Sequence, residues 1–194
     1  AVGGAAGAAD FAADMVVTAG GRTMLAGKIR VQGTDKVRQE VLHEGAAEPM
    51  VTIIRLDRKV VWTLLPGGRY LEFPGTAPPG QPGFTGPVKV GDRLERVTAG
   101  AENVNGYACD VFHYVDRERR TVVLTEWKAR ELDYVIKTEL IDPETPGGRK
   151  KLVTEYRNIK REPQPDALFE LPPGAEKLSL PGLTTFFDPS DKGK

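Results

Sequence analysis

The strongest constraint on this chain is its hydrophobic spacing. No stretch carries a long apolar repeat at 3.6 residues, and the hydrophobic side chains recur every second residue in short runs cut by Gly and Pro. Around Lys36 to Val41 the pattern is plain: Val37, Gln39 and Val41 alternate with Lys36, Arg38 and Glu40, as in a strand with one wet face. Turn chemistry falls between the runs. Gly20-Gly21 and Asn105-Gly106 offer the positive φ that a two-residue hairpin needs. Asp57-Arg58 and Pro66-Gly67-Gly68 break two further runs. With 22 Gly and 15 Pro the chain is too rich in turn residues for a helical bundle. It reads as mainly β, a curved antiparallel sheet of about ten strands with little helix.

The expected strands cover 11–19, 22–32, 36–43, 50–56, 60–65, 69–73, 107–116, 121–127, 134–141 and 150–160. Residues 92–99 fit either a short strand or a helical turn. The stretch 74–91, with five Pro and five Gly, excludes helix and central strand and reads as a long loop over one end of the sheet. Asp166 to Leu171 reads as a short helical turn capped by Asp166. The organisation that follows is a flexible Ala/Gly tether over 1–9, a single domain over 10–178 and an irregular tail over 179–194. Such a tether suits the spacer of a lipid-anchored protein, with any signal peptide already removed.

Charge and motif content remove several functions. Lys+Arg and Asp+Glu are both 27, so no net field draws the chain to nucleic acid. His43 and His113 have no partner at metal-ligand spacing and read as surface or sheet-edge histidines. Cys109 alternates with Tyr107 and Val111 and reads as a small buried hydrophobe. His113 is two pleats further along the same face, too far to activate the thiol. No nucleophile-elbow, phosphate-loop or dinucleotide-binding glycine motif occurs, and the acids are interleaved with Lys and Arg as on a solvated face. No catalytic residue, metal or cofactor is expected.

Apolar surface on strands stands out instead. The runs 50–56 and 60–65 are apolar on both faces, which implies cover on both sides or one face lining a cavity. With no long helix to cover such a sheet, a lipid, an acyl chain or another protein would supply the cover, at roughly 25 cal/mol per Å² buried. Strand position and size pick out Val37, Val51, Ile53, Trp62, Leu64, Phe112, Trp127 and Tyr134 as the expected ligand contacts.

Three stretches carry a resemblance: Gly27 to Glu40 (GKIRVQGTDKVRQE), Arg58 to Phe73 (RKVVWTLLPGGRYLEF) and Asp166 to Leu178 (DALFELPPGAEKL). In this order they resemble the LolA/LolB-like family of periplasmic lipoprotein carriers. The resemblance implies an unclosed β half-barrel whose hydrophobic concave face shelters a lipid or the acyl chains of a lipoprotein in the bacterial envelope, without covalent chemistry. The chain departs from the family pattern where a lid helix would follow Phe73, at the lid-pinning arginine, where Gly33 stands, and at the N-terminal helix, which is missing. The rival expectation is an envelope sensor or interaction module that binds a protein through the same face or a sheet edge.

Overall fold

The computed structural model describes residues 10–42, 48–75, 93–141 and 151–179. The expected tether, His43, nearly all of the loop 74–91, the Pro143–Gly148 loop and all but the first residue of the tail lie outside these residues. The strands are β1 (Phe11–Ala19), β2 (Arg22–Gln32), β3 (Lys36–Val41), β4 (Met50–Arg55), β5 (Val60–Leu65), β6 (Arg69–Pro74), β7 (Leu94–Val104), β8 (Tyr107–Asp116), β9 (Thr121–Ala129), β10 (Tyr134–Ile141), β11 (Lys151–Arg161) and the two-residue β12 (Glu176–Lys177). They form one sheet of 12 strands in the order β12-β6-β5-β4-β3-β2-β1-β11-β10-β9-β8-β7. Two meanders, β1 to β6 and β7 to β11, are thus welded along the β1–β11 ladder, from Phe11↔Arg161 to Ala19↔Leu152. Every pairing is antiparallel except the short parallel contact of β12 with β6. Neither edge strand pairs with the other, so the sheet stays unclosed among the described residues.

Most strands sit where alternation places them, and the hairpin turns behave as their residues require. Gly20 and Gly21 have φ of 57° and 81°, and Asn105 and Gly106 have 51° and 86°, the mirror-image turn that suits right-twisted strands. The short β12 falls where no strand was expected, and two further elements differ from expectation. Residues 94–104 are a full eleven-residue strand, because Gly100, at φ 126°, absorbs a bulge and keeps both halves in register with β8. Asp166 does not cap its helical turn. Pro165 precedes the 3-10 turn Asp166–Phe169 with no side-chain cap, and Asp166 instead accepts a hydrogen bond from Lys36 Nζ at 3.0 Å.

The sheet curls strongly. Phe11 of β1 and Tyr134 of β10 meet edge to face at 5.2 Å between ring centroids, although β11 lies between their strands. Asn105, in the turn between β7 and β8, donates to Tyr156 O on β11 at 2.8 Å, across the width of β9 and β10. A flat sheet, with strands about 4.8 Å apart, would hold these groups well out of contact. Bulges in β2, β7, β9, β10 and β11 supply the bending. Gly27 supplies a close approach: a Cβ there would stand 2.3 Å from the Glu40 carbonyl oxygen of β3.

Two apolar clusters result. The larger gathers Phe11, Met15, Ile29, Val31, Val37, Ile54, Cys109, Val111, Trp127, Tyr134, Ile136 and Tyr156. The smaller lies on the other face of β4 and β5, where Phe169 is inserted against Ile53 and Trp62. Central strands apolar on both faces are therefore covered on both faces, one side by the curl and the other by the C-terminal segment. Arg55 locks that segment in place. Its guanidinium, nearly buried, holds Asp57, Glu170 and the Phe169 carbonyl, and Arg58 adds a second cation on Glu170.

Candidate functional site

The half-barrel has two unlike ends. At one, Phe11, Val31, Val37, Leu132 and Tyr134 are fully buried, and polar ties close over them. Gly33 N donates to Asp10 Oδ1 at 3.0 Å, Gln32 Nε2 to Gln164 O at 2.9 Å, and Asn105 to β11. The other end exposes apolar side chains that no described residue covers. The exposed large hydrophobic residues among those described are Met24, Leu42, Met50, Leu140 and Leu152, from 67% exposed at Met24 to 39% at Leu152. The register places all five there. Met50 pairs with Val41, the neighbour of Leu42, and Val41 pairs with Gly27. Met24 is the extra residue of the β1–β2 bulge, and Leu152 lies opposite both Ala19 and Leu140.

This rim runs into a groove at the ends of β4 and β5. The groove has a volume of about 460 Å³ and is walled by Met50, Val51, Leu64, Leu65, Pro66 and, from the C-terminal segment, Pro172. Its charged lining residues are Glu48 and Arg69. The size suits a small-molecule site, and apolar walls with a few polar groups are the usual composition of one.

The eight residues expected as ligand contacts separate into three places. Val37, Trp127 and Tyr134 lie in the larger cluster. Trp127 Nε1 donates to Glu102 Oε2 at 2.8 Å, and its ring carries Lys137 Nζ at 4.3 Å. Ile53 and Trp62 form the smaller cluster with Phe169, and Trp62 Nε1 donates to Glu72 Oε2 at 3.0 Å. Val51 and Leu64 pack against that pair and also line the groove. Phe112 stands apart, half-buried beneath the Arg96 guanidinium at 3.5 Å. The structure thus joins four of the eight, Val51, Ile53, Trp62 and Leu64, and sets them on the face opposite Val37. Met24, Leu42, Met50, Leu65, Leu140 and Leu152 escaped sequence reasoning. Each stands at or near a strand end beside a turn or loop, where the described residues leave it at least partly exposed, and that position was the available signal.

Near Phe112 lies a buried acid. Glu126 on β9 is buried, which pushes its carboxyl above the usual range, while the Tyr114 hydroxyl donating to it at 2.8 Å, Arg96 and Lys128 pull the other way. Burial and the adjacent carboxylate drive Tyr114 far up in turn. Cys109 is fully buried, and its thiol is raised by burial, so it has the character of a core side chain and not of a nucleophile.

An apolar end left open by the described residues, on a strongly curled, unclosed sheet, defines a β half-barrel with a hydrophobic mouth. No known protein-family profile and no curated protein matches the chain. Among solved structures it is similar to MucB, at 16% identity and a TM-score of 0.53 over 89% of this chain and 60% of that one. It is also similar to MucB in complex with MucA(peri), at 14% identity and a TM-score of 0.52, covering 89% of this chain and 57% of that one. A LolA superfamily protein from Nitrosomonas europaea is similar at 9% identity and a TM-score of 0.43, covering 84% of this chain and 90% of that one. The chain therefore spans about three fifths of MucB. At these identities the likeness to MucB is one of fold.

Proposed function

We propose that this chain is a non-enzymatic binding protein of the bacterial envelope, periplasmic, that holds a lipid or acylated ligand at the open end of its half-barrel. The observation that carries the reading is the gathering of Met24, Leu42, Met50, Leu140 and Leu152 at one end, continuous with an apolar groove, while the other end is sealed by its own side chains. Exposed apolar side chains scattered singly need no explanation, but a row of them running into a groove marks a binding surface. The hydrocarbon would lie along the rim and over Val51 and Leu64, with Ile53 and Trp62 as the floor behind them. Val37, Trp127 and Tyr134 would shape the concave wall from within the core, while Phe112, on the face opposite Trp127, would take no part.

A second reading has support of its own. MucB, whose fold this chain shares, has been seen in complex with MucA(peri), so an apolar segment of a protein partner is an alternative occupant of the same end. Native mass spectrometry of the chain purified from a bacterial envelope fraction separates the two. Co-purified lipid, lost in a Leu140→Asp/Leu152→Asp variant, supports the carrier. A single protein at equal stoichiometry and no lipid supports the interaction module. A bare chain that takes up neither added lipid nor peptide defeats both.

A further inference from the structure

The two charged side chains of the groove are unpartnered among the described residues. Elsewhere on the sheet, charged side chains mostly have partners: Arg30 and Arg38 share Glu40, Lys151 holds Glu139, Arg157 holds Glu155 and Lys177 holds Glu72. The side chains of Glu48 and Arg69, which line the groove, have no hydrogen bond or ion pair among the described residues. Glu176 stands opposite Arg69 in the β6–β12 ladder, yet no ion pair joins them. One unspent cation and one unspent anion therefore border a cleft whose other walls are Met, Val, Leu, Pro, Gly and Ala. Opposite charges left solvated beside an apolar surface fit a ligand that brings both complementary charges on one hydrocarbon body. A guanidinium is suited to a phosphate and a carboxylate to an ammonium.

From this juxtaposition we infer that the groove takes a zwitterionic amphiphile of the phosphoethanolamine class, with its phosphate on Arg69, its ammonium on Glu48 and its acyl chain along Met50, Val51, Leu64 and Leu65. The inference rests on the lipid-binding reading and makes it more specific. It also gives the C-terminal segment a role, because Pro172 and Ala175 form one wall of the groove. The segment that seals the outer face with Phe169 thereby completes the site.

Calorimetric titration of the full chain with three single-chain amphiphiles of equal length, each below its micelle concentration, tests this. Lysophosphatidylethanolamine carries both charges, lysophosphatidylglycerol the phosphate alone, and monoacylglycerol neither. The expected order is lysophosphatidylethanolamine first by about tenfold, the scale of one charge-assisted hydrogen bond. Glu48→Gln should weaken lysophosphatidylethanolamine alone, Arg69→Gln should weaken both phosphate lipids, and Arg69→Lys should restore much of the loss. Both positions are exposed, so folding is retained, and thermal denaturation checks it. Equal affinity for all three lipids, or an unchanged order in the variants, overturns the head-group assignment and leaves the lipid-binding reading standing. Failure of all three to bind overturns both.

Discussion

The two ends of this sheet are built from the same strands and the same kinds of residue, yet one is a core and the other a mouth. At the closed end the curl brings side chains from β1, β2, β3 and β10 onto one another, so that Phe11, Val31, Val37 and Tyr134 lose all contact with solvent. At the open end Leu140 and Leu152 face each other across the β10–β11 ladder and stay about two-fifths exposed, with no described residue packed over them. Hydrophobicity alone does not separate core from binding surface. What separates them is whether curvature supplies a neighbour.

The largest effect should come from applying one kind of truncation at each end. Phe11→Ala should cost about 3–5 kcal/mol of stability, and Leu152→Ala less than about 1 kcal/mol, since only the first leaves a cavity. Urea unfolding of the two variants measures the contrast, and equal losses would dissolve the distinction between the ends. A smaller effect is expected at the bend itself. Gly27→Ala places a methyl against the Glu40 carbonyl and should cost about 1–3 kcal/mol, with faster amide exchange along β2 and β3.

Smaller still is a pH effect centred on Glu126. Burial raises its carboxyl pKa in the folded state, so the folded chain binds the proton more tightly than the unfolded one. Its contribution is therefore fully present below the ordinary carboxylate pKa and is lost as pH rises through the elevated value. Glu126→Gln should remove that part of the pH slope and raise the melting temperature at neutral pH relative to the unsubstituted chain. A melting-temperature series from pH 4 to 8 reads both. An unchanged slope would mean that Tyr114, Arg96 and Lys128 already stabilise the carboxylate in full.

Much of the architecture was legible in the residues. The period-two runs and the Gly-Gly and Asn-Gly turns placed strands and hairpins, because both are local rules. Residues 94–104 were harder, since small and charged side chains such as Ala99, Gly100 and Glu102 carry no apolar alternation and the strand is held by pairing with β8. The site was legible only in part. Alternation told which residues share a face, but bulges such as the one between Val135 and Lys137 change what each face meets. No local pattern announced that the segment 166–178 would fold back over Ile53 and Trp62, because Arg55 and Glu170 find each other across more than a hundred residues. Large side chains, Trp62 and Tyr134 among them, drew attention as contacts for the same reason that they are buried: they fill space.

The central claim is that ligand enters at the open end. Backbone amide shifts of the isotopically labelled chain, recorded during titration with a single-chain phospholipid, test it most directly. Perturbations are expected at Met24, Leu42, Met50, Leu65, Leu140 and Leu152, with Gly33, Leu132 and Asn105 at the closed end unmoved. Shifts centred on the closed end, or none at saturating lipid, would contradict it.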